Sequence, residues 1–99
     1  MRLTEYQAEA IRKVLCRHFG QDARVFLFGS RVDDSARGAD IDLFVEADMP
    51  DESLFLSKMH ALEDLHRALG ERKIDIVISR RGKDLSPVAE EAVKHGVAL

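Results

Sequence analysis

The chain has 99 residues, 45% of them hydrophobic and 33% charged, a balance that fits one compact soluble domain and excludes a disordered or membrane-embedded chain. Fifteen Lys and Arg against eighteen Asp and Glu leave a net charge of -3, so the basic footprint of a nucleic-acid binder is missing and a DNA or RNA partner is disfavoured. The lone Cys16 rules out an internal disulfide and any zinc spacing, and neither a membrane-length apolar run nor a secretory signal is read, so a cytoplasmic protein away from the membrane is expected.

The chain opens with a helix. Thr4 and Gln7 fit a capping box, Ala8, Ile11, Leu15 and Phe19 recur at helical spacing, and Gly20 supplies a terminator. Cys16 and His18 on this helix read as a packed thiol and a boundary imidazole. The first strand, Arg24 to Phe28, is apolar almost throughout, which predicts burial on both faces and a central position. It runs into Gly29-Ser30-Arg31 and a polar stretch ending at Ala39. That connection is too short for a parallel crossover, so the second strand, Ile41 to Glu46, should return antiparallel.

Asp48-Met49-Pro50-Asp51 breaks the pattern. An amphipathic helix follows, with Phe55, Met59, Leu62, Leu65 and Leu69 as its expected buried stripe and Gly70 as its end. A helical crossover of this kind is right-handed and makes the third strand, Ile74 to Ile78, parallel to the second. Arg80-Arg81-Gly82-Lys83 is a basic turn, read as a solvated loop ahead of a substrate or partner contact. Ser86-Pro87 opens a last short helix through His95, and Gly96 closes it. With no repeat or linker, residues 1–99 form a single α/β (α+β) domain, a small mixed sheet of three to four strands flanked by helices.

The chemistry gathers at one rim of that sheet. Gly29 and Ser30 follow the first strand, where small residues let backbone N–H groups approach phosphate oxygens. Asp40 and Asp42 open the second strand and, because strand side chains alternate, project from one face. Asp75 joins them near the same rim, its facing left open by one residue. A hard cation such as Mg²⁺ takes one or two protein carboxylates and completes its shell with water and phosphates, so the cluster suits a nucleoside triphosphate with metal. In a nucleotidyl transfer, Asp40 and Asp42 would bridge two ions and Asp75 would complete the one that activates the acceptor hydroxyl, while Gly29 and Ser30 bind the outer phosphates. Arg31 is either a further phosphate ligand or an ordinary salt-bridge residue. An Asp-Ile-Asp alone is weak evidence; its combination with the Gly-Ser turn and a third acid is what carries weight. His60 and Asp64, four apart on the crossover helix, read as a solvated face rather than a metal pair, and His66 and His95 receive no role.

Phe28-Gly29-Ser30, Arg31, Asp40-Ile41-Asp42-Leu43 and Asp75 resemble the signature of the DNA polymerase beta-like nucleotidyltransferase superfamily, and in particular its stand-alone minimal nucleotidyltransferases. The resemblance spans the first strand through the third; Ala39, where many relatives carry Gly or Ser, is a mild departure. It implies the nucleotidyltransferase fold with ATP and two Mg²⁺ ions at the Gly-Ser and triple-Asp rim. Relatives of this size are similar to antitoxins paired with a helical toxin of the HEPN type, some of which transfer AMP from ATP to a tyrosine of that toxin. The expectation is therefore a protein adenylyltransferase (EC 2.7.7-type) acting as an antitoxin, alone as a homodimer or in a hetero-oligomer. Two alternatives stay open: a non-catalytic module that neutralises its partner by steric contact, and a dimeric transferase acting on a small molecule such as an aminoglycoside.

Overall fold

The computed structural model describes residues 4–29, 40–70 and 72–99. Its elements run α1 (Glu5–Phe19), β1 (Arg24–Phe28), β2 (Ile41–Ala47), α2 (Asp51–Leu69), β3 (Ile74–Arg80), α3 (Pro87–His95) and β4 (Val97–Ala98). The expected capping box is present: Thr4 Oγ1 accepts from the Gln7 N–H and Gln7 Oε1 accepts from the Thr4 N–H, both at 3.1 Å. Gly20 and Gly70 terminate the two long helices, and Ser86 caps α3 with Pro87 in its first turn.

The strands form one sheet in the order β3-β2-β1-β4. β1 and β2 are antiparallel, β2 and β3 parallel through the α2 crossover, and β4 adds antiparallel to the free side of β1. Both strand directions expected between neighbours are therefore present. β2 and β3 run one and two residues beyond their expected ends, and the terminal β4 is the fourth strand.

Alternation along the strands builds two cores. Val25 and Leu27 of β1, Ile41, Leu43, Val45 and Ala47 of β2, and Ile74 and Ile76 of β3 face α1 and α2, where they meet Ile11, Leu15, Phe19, Leu54, Ala61 and Leu65. On the other face Phe26 and Phe44, their rings 6.1 Å apart, pack under Ala89 and Ala92 of α3. Small side chains let α3 sit close to the sheet. Gly96 extends that approach: a methyl group there would lie 2.8 Å from the Leu27 carbonyl oxygen and overlap that of Ala92.

One expectation is corrected. The buried positions of α2 are Leu54, Ala61 and Leu65, with Leu62 and Leu69 packed beside them, whereas Phe55 and Met59 are 58% and 50% exposed. The helix is seated one residue earlier than its largest side chains suggest. Periodicity identifies an apolar flank but does not say which element covers it.

Candidate active site

Strand pairing fixes the facing that the sequence leaves open. In the β2–β3 ladder Asp42 stands opposite Asp75, and in the β1–β2 ladder Phe28 stands opposite Asp42. Directly paired residues project to the same side, so Phe28, Asp42 and Asp75 form one row across three strands. The next row is Phe26, Phe44 and Val77, the floor beneath α3. The helix thus covers the apolar row and leaves the acidic one at the rim. Asp40, two residues ahead of Asp42, and Asp75 are exposed, and Asp42 is half-buried.

Gly29 belongs to this rim. It takes φ +75°, the left-handed region that favours glycine, and a Cβ built on it would overlap the Asp42 carboxylate. The backbone of the turn after β1 and the first acid of β2 are in mutual contact that no side chain could share. Ser30 and Arg31, the other two expected phosphate ligands, lie outside the described residues.

The electrostatics match the geometry. The Asp42 carboxyl is held above its ordinary value of 3.8, first by burial, then by the charge of Asp75 and that of Asp40, with Lys73 opposing. Lys73 is a rim residue that motif reading missed. It lies two residues before Asp75, so strand alternation offered a signal for it, and its carbonyl accepts the Ile41 N–H at 2.9 Å. Among the described residues no three His, Cys, Asp or Glu side chains are gathered closely enough to hold a metal ion as they stand. The acids form an open row rather than a closed cage. Hard oxygen donors set side by side nonetheless fit a cation such as Mg²⁺, which needs only one or two carboxylates from the protein.

Several other ionisable residues have partners of their own. Asp64, read from sequence as part of a solvated face, is only 23% exposed; it accepts from His18 Nε2 at 2.6 Å across the α1–α2 contact and is flanked by Arg17 and Arg67. That ion-pair cluster holds the Asp64 carboxyl below its ordinary value, the His18 hydrogen bond being the main cause. Glu46, buried at the other end of the α3 face, meets Arg24 at 3.3 Å and Arg81 at 3.9 Å. Arg81 of the basic turn is therefore partly structural, as is Lys83, 3.1 Å from Asp51. His66 Nε2 donates to the Arg72 carbonyl at 3.0 Å. No helix among the described residues is long and apolar enough to cross a membrane.

A family model described as a nucleotidyltransferase domain matches residues 8–99. No curated protein matches the chain.

Proposed function

The chain belongs to the nucleotidyltransferase domain family, and from that premise we propose that it transfers AMP from ATP to a hydroxyl of a partner protein, a tyrosine of a HEPN-type helical toxin, and so acts as that toxin's antitoxin. The observation that carries the reading is the row of Asp42 and Asp75 beside the turn at Gly29, with Asp40 on the same rim.

In this scheme Asp42 and Asp75, with Asp40, hold Mg²⁺ at the rim. The ions would supply positive charge against the phosphoryl oxygens. Each residue has its own part. Gly29, lacking a side chain, keeps the rim open to the phosphates and leaves room for the Asp42 carboxylate. Ser30 binds the outer phosphates, and Arg31 adds charge-assisted hydrogen bonds to them. Asp75, more exposed than Asp42, takes the proton of the acceptor hydroxyl. The acceptor oxygen bonds to the α-phosphorus, the bond to the bridging oxygen breaks, and pyrophosphate leaves.

A protein acceptor is our reading for the hydroxyl. Asp40 and Asp75 are exposed at the rim ends of their strands, where a hydroxyl carried by a second macromolecule can reach them. The exposed apolar residues of α2 also favour protein contact and keep a steric role in view. Incubating the chain with the product of its neighbouring gene, labelled ATP and Mg²⁺ separates the two. Label transferred to the partner and lost in Asp42→Asn supports the transferase; inhibition that survives Asp42→Asn without any label supports a steric binder.

A further inference from the structure

Lys73 has no part in the scheme above, yet the register sets it at the rim. The Ile41 N–H donates to its carbonyl at 2.9 Å, which carries the β2–β3 ladder one residue ahead of the Ile41–Ile74 pair. Residues two apart on a strand project to the same side, so Lys73 faces with Asp75, and it stands across from Asp40 as Asp75 stands across from Asp42. Lys73 is exposed, and its charge reaches Asp42, opposing those of Asp75 and Asp40. Ile41 and Ile74, buried on the far face, fix the backbone from which it projects. The nearby Arg67, by contrast, is held by Glu63 and Asp64.

Its place in the sheet selects the reactant that this cation meets. The order β3-β2-β1-β4 puts two strand spacings, about 10 Å, between Lys73 and the line of β1, where the turn at Gly29 begins. Outer phosphates seated at that turn lie on the β1 side, whereas Asp75, which takes the acceptor's proton, lies on the β3 side with Lys73. An acceptor hydroxyl that gives up its proton there gains negative charge beside three carboxylates and a phosphate. A fixed cation on that flank offsets the charge where it develops.

From this placement we propose that Lys73 is a catalytic residue of the acceptor side, its ammonium donating to the attacking oxygen as the acceptor's proton passes to Asp75. The inference rests on the transferase reading above. The oxygen bonds to the α-phosphorus, the bond to the bridging oxygen breaks, and pyrophosphate leaves. Lys73 keeps its proton throughout and acts by charge and one hydrogen bond. Because it meets the reacting oxygen and leaves the outer phosphates to the Gly29 turn, its effect falls on turnover and not on ATP binding.

Transfer of labelled AMP to the neighbouring gene's product, with kcat and KM for ATP resolved, tests this in Lys73→Met and Lys73→Arg. Calorimetric binding of Mg²⁺ and of a non-hydrolysable ATP analogue runs beside it. Lys73→Met removes the charge and keeps the length of the side chain. It should lower kcat on the order of 100-fold, as loss of one donor to a developing oxyanion does, with KM for ATP and analogue affinity unchanged. Lys73→Arg should recover most of the rate. A lysine that only offsets the acids in the resting protein predicts tighter Mg²⁺ binding in Lys73→Met with an unaltered kcat, and that result overturns the proposal. So does a loss that appears in analogue affinity, which would make Lys73 a phosphate ligand. If the wild type itself moves no label, the transferase reading fails and takes the inference with it; an active wild type with an equally fast Lys73→Met sinks the inference alone.

Discussion

Asp42→Asn should make the protein more stable while removing its chemistry, provided divalent ions are absent. Wild-type Asp42 is half-buried and faces Asp75 across the ladder with Asp40 beside it, so ionising it works against burial and two like charges. A directly opposed like-charge pair costs roughly 0.2–1 kcal/mol. In a domain of this size that is a rise in melting temperature of about 1–8 °C for the variant in EDTA at neutral pH.

The sign with pH follows from linkage. A carboxyl whose folded pKa is raised binds protons more readily folded than unfolded, so its destabilising effect is complete above the folded value. It shrinks as the pH falls through that value and is gone below the ordinary 3.8. The advantage of Asp42→Asn should fade over that window. Mg²⁺ should reverse the order: at ten times its dissociation constant an ion bound only by the folded state adds about 1.4 kcal/mol, and the variant should gain little of it. Melting curves of both proteins in EDTA and in Mg²⁺, run beside labelled-ATP transfer, give the full comparison. The reasoning fails if the variant is the less stable protein in EDTA, or if Mg²⁺ stabilises both equally.

Three further substitutions probe other parts of the structure. Gly29→Ala places a side chain at φ +75° against the Asp42 carboxylate, so it should cost about 1–2 kcal/mol in urea unfolding and also weaken Mg²⁺ binding. Leu65→Ala removes a fully buried side chain between α2 and the sheet and should cost about 2–5 kcal/mol by the same measurement. Asp64→Asn removes a carboxyl whose folded pKa is lowered by His18. The wild type should hold a stability advantage above the ordinary value of 3.8 that is lost as the pH drops through the lowered folded value, and acid titration of the variant should lack that component.

The features read well from sequence are those set by local chemistry. Thr4 with Gln7, Gly20, and Ser86 with Pro87 each satisfy or end a helix through neighbours a few residues away, and the caps appear where the pattern put them. Strand directions were also legible, because loop length decides between a hairpin return and a crossover. What escaped the sequence depends on distant pairings. His18 meets Asp64 and Arg24 meets Glu46 only after α1, α2 and the sheet have packed, so neither pair leaves a short-range pattern. Phe55 and Met59 follow the helical period as core residues do, and only the position of α2 at the sheet margin distinguishes them. For the rim, sequence placed Asp40 and Asp42 on one face, but the facing of Asp75 required the register.

That register is held by the face opposite the acids. Ile41, Leu43, Val45, Ile74 and Ile76 are buried against the helical layer, and each such side chain contributes about 1.5–3 kcal/mol relative to exposure. A slip of one residue in β2 or β3 would turn these side chains outward and drive Asp42 or Asp75 into the core, since strand alternation has period two. The cost of that exchange exceeds the roughly 0.2–1 kcal/mol of repulsion between the paired acids by several-fold. The strands can therefore hold two carboxylates side by side, at a spacing that charge alone would oppose. The core beneath the sheet is what sets the chemistry at its rim, and substitutions that loosen Ile41 or Ile74 should reach Asp42 and Asp75 through the register before they reach them through space.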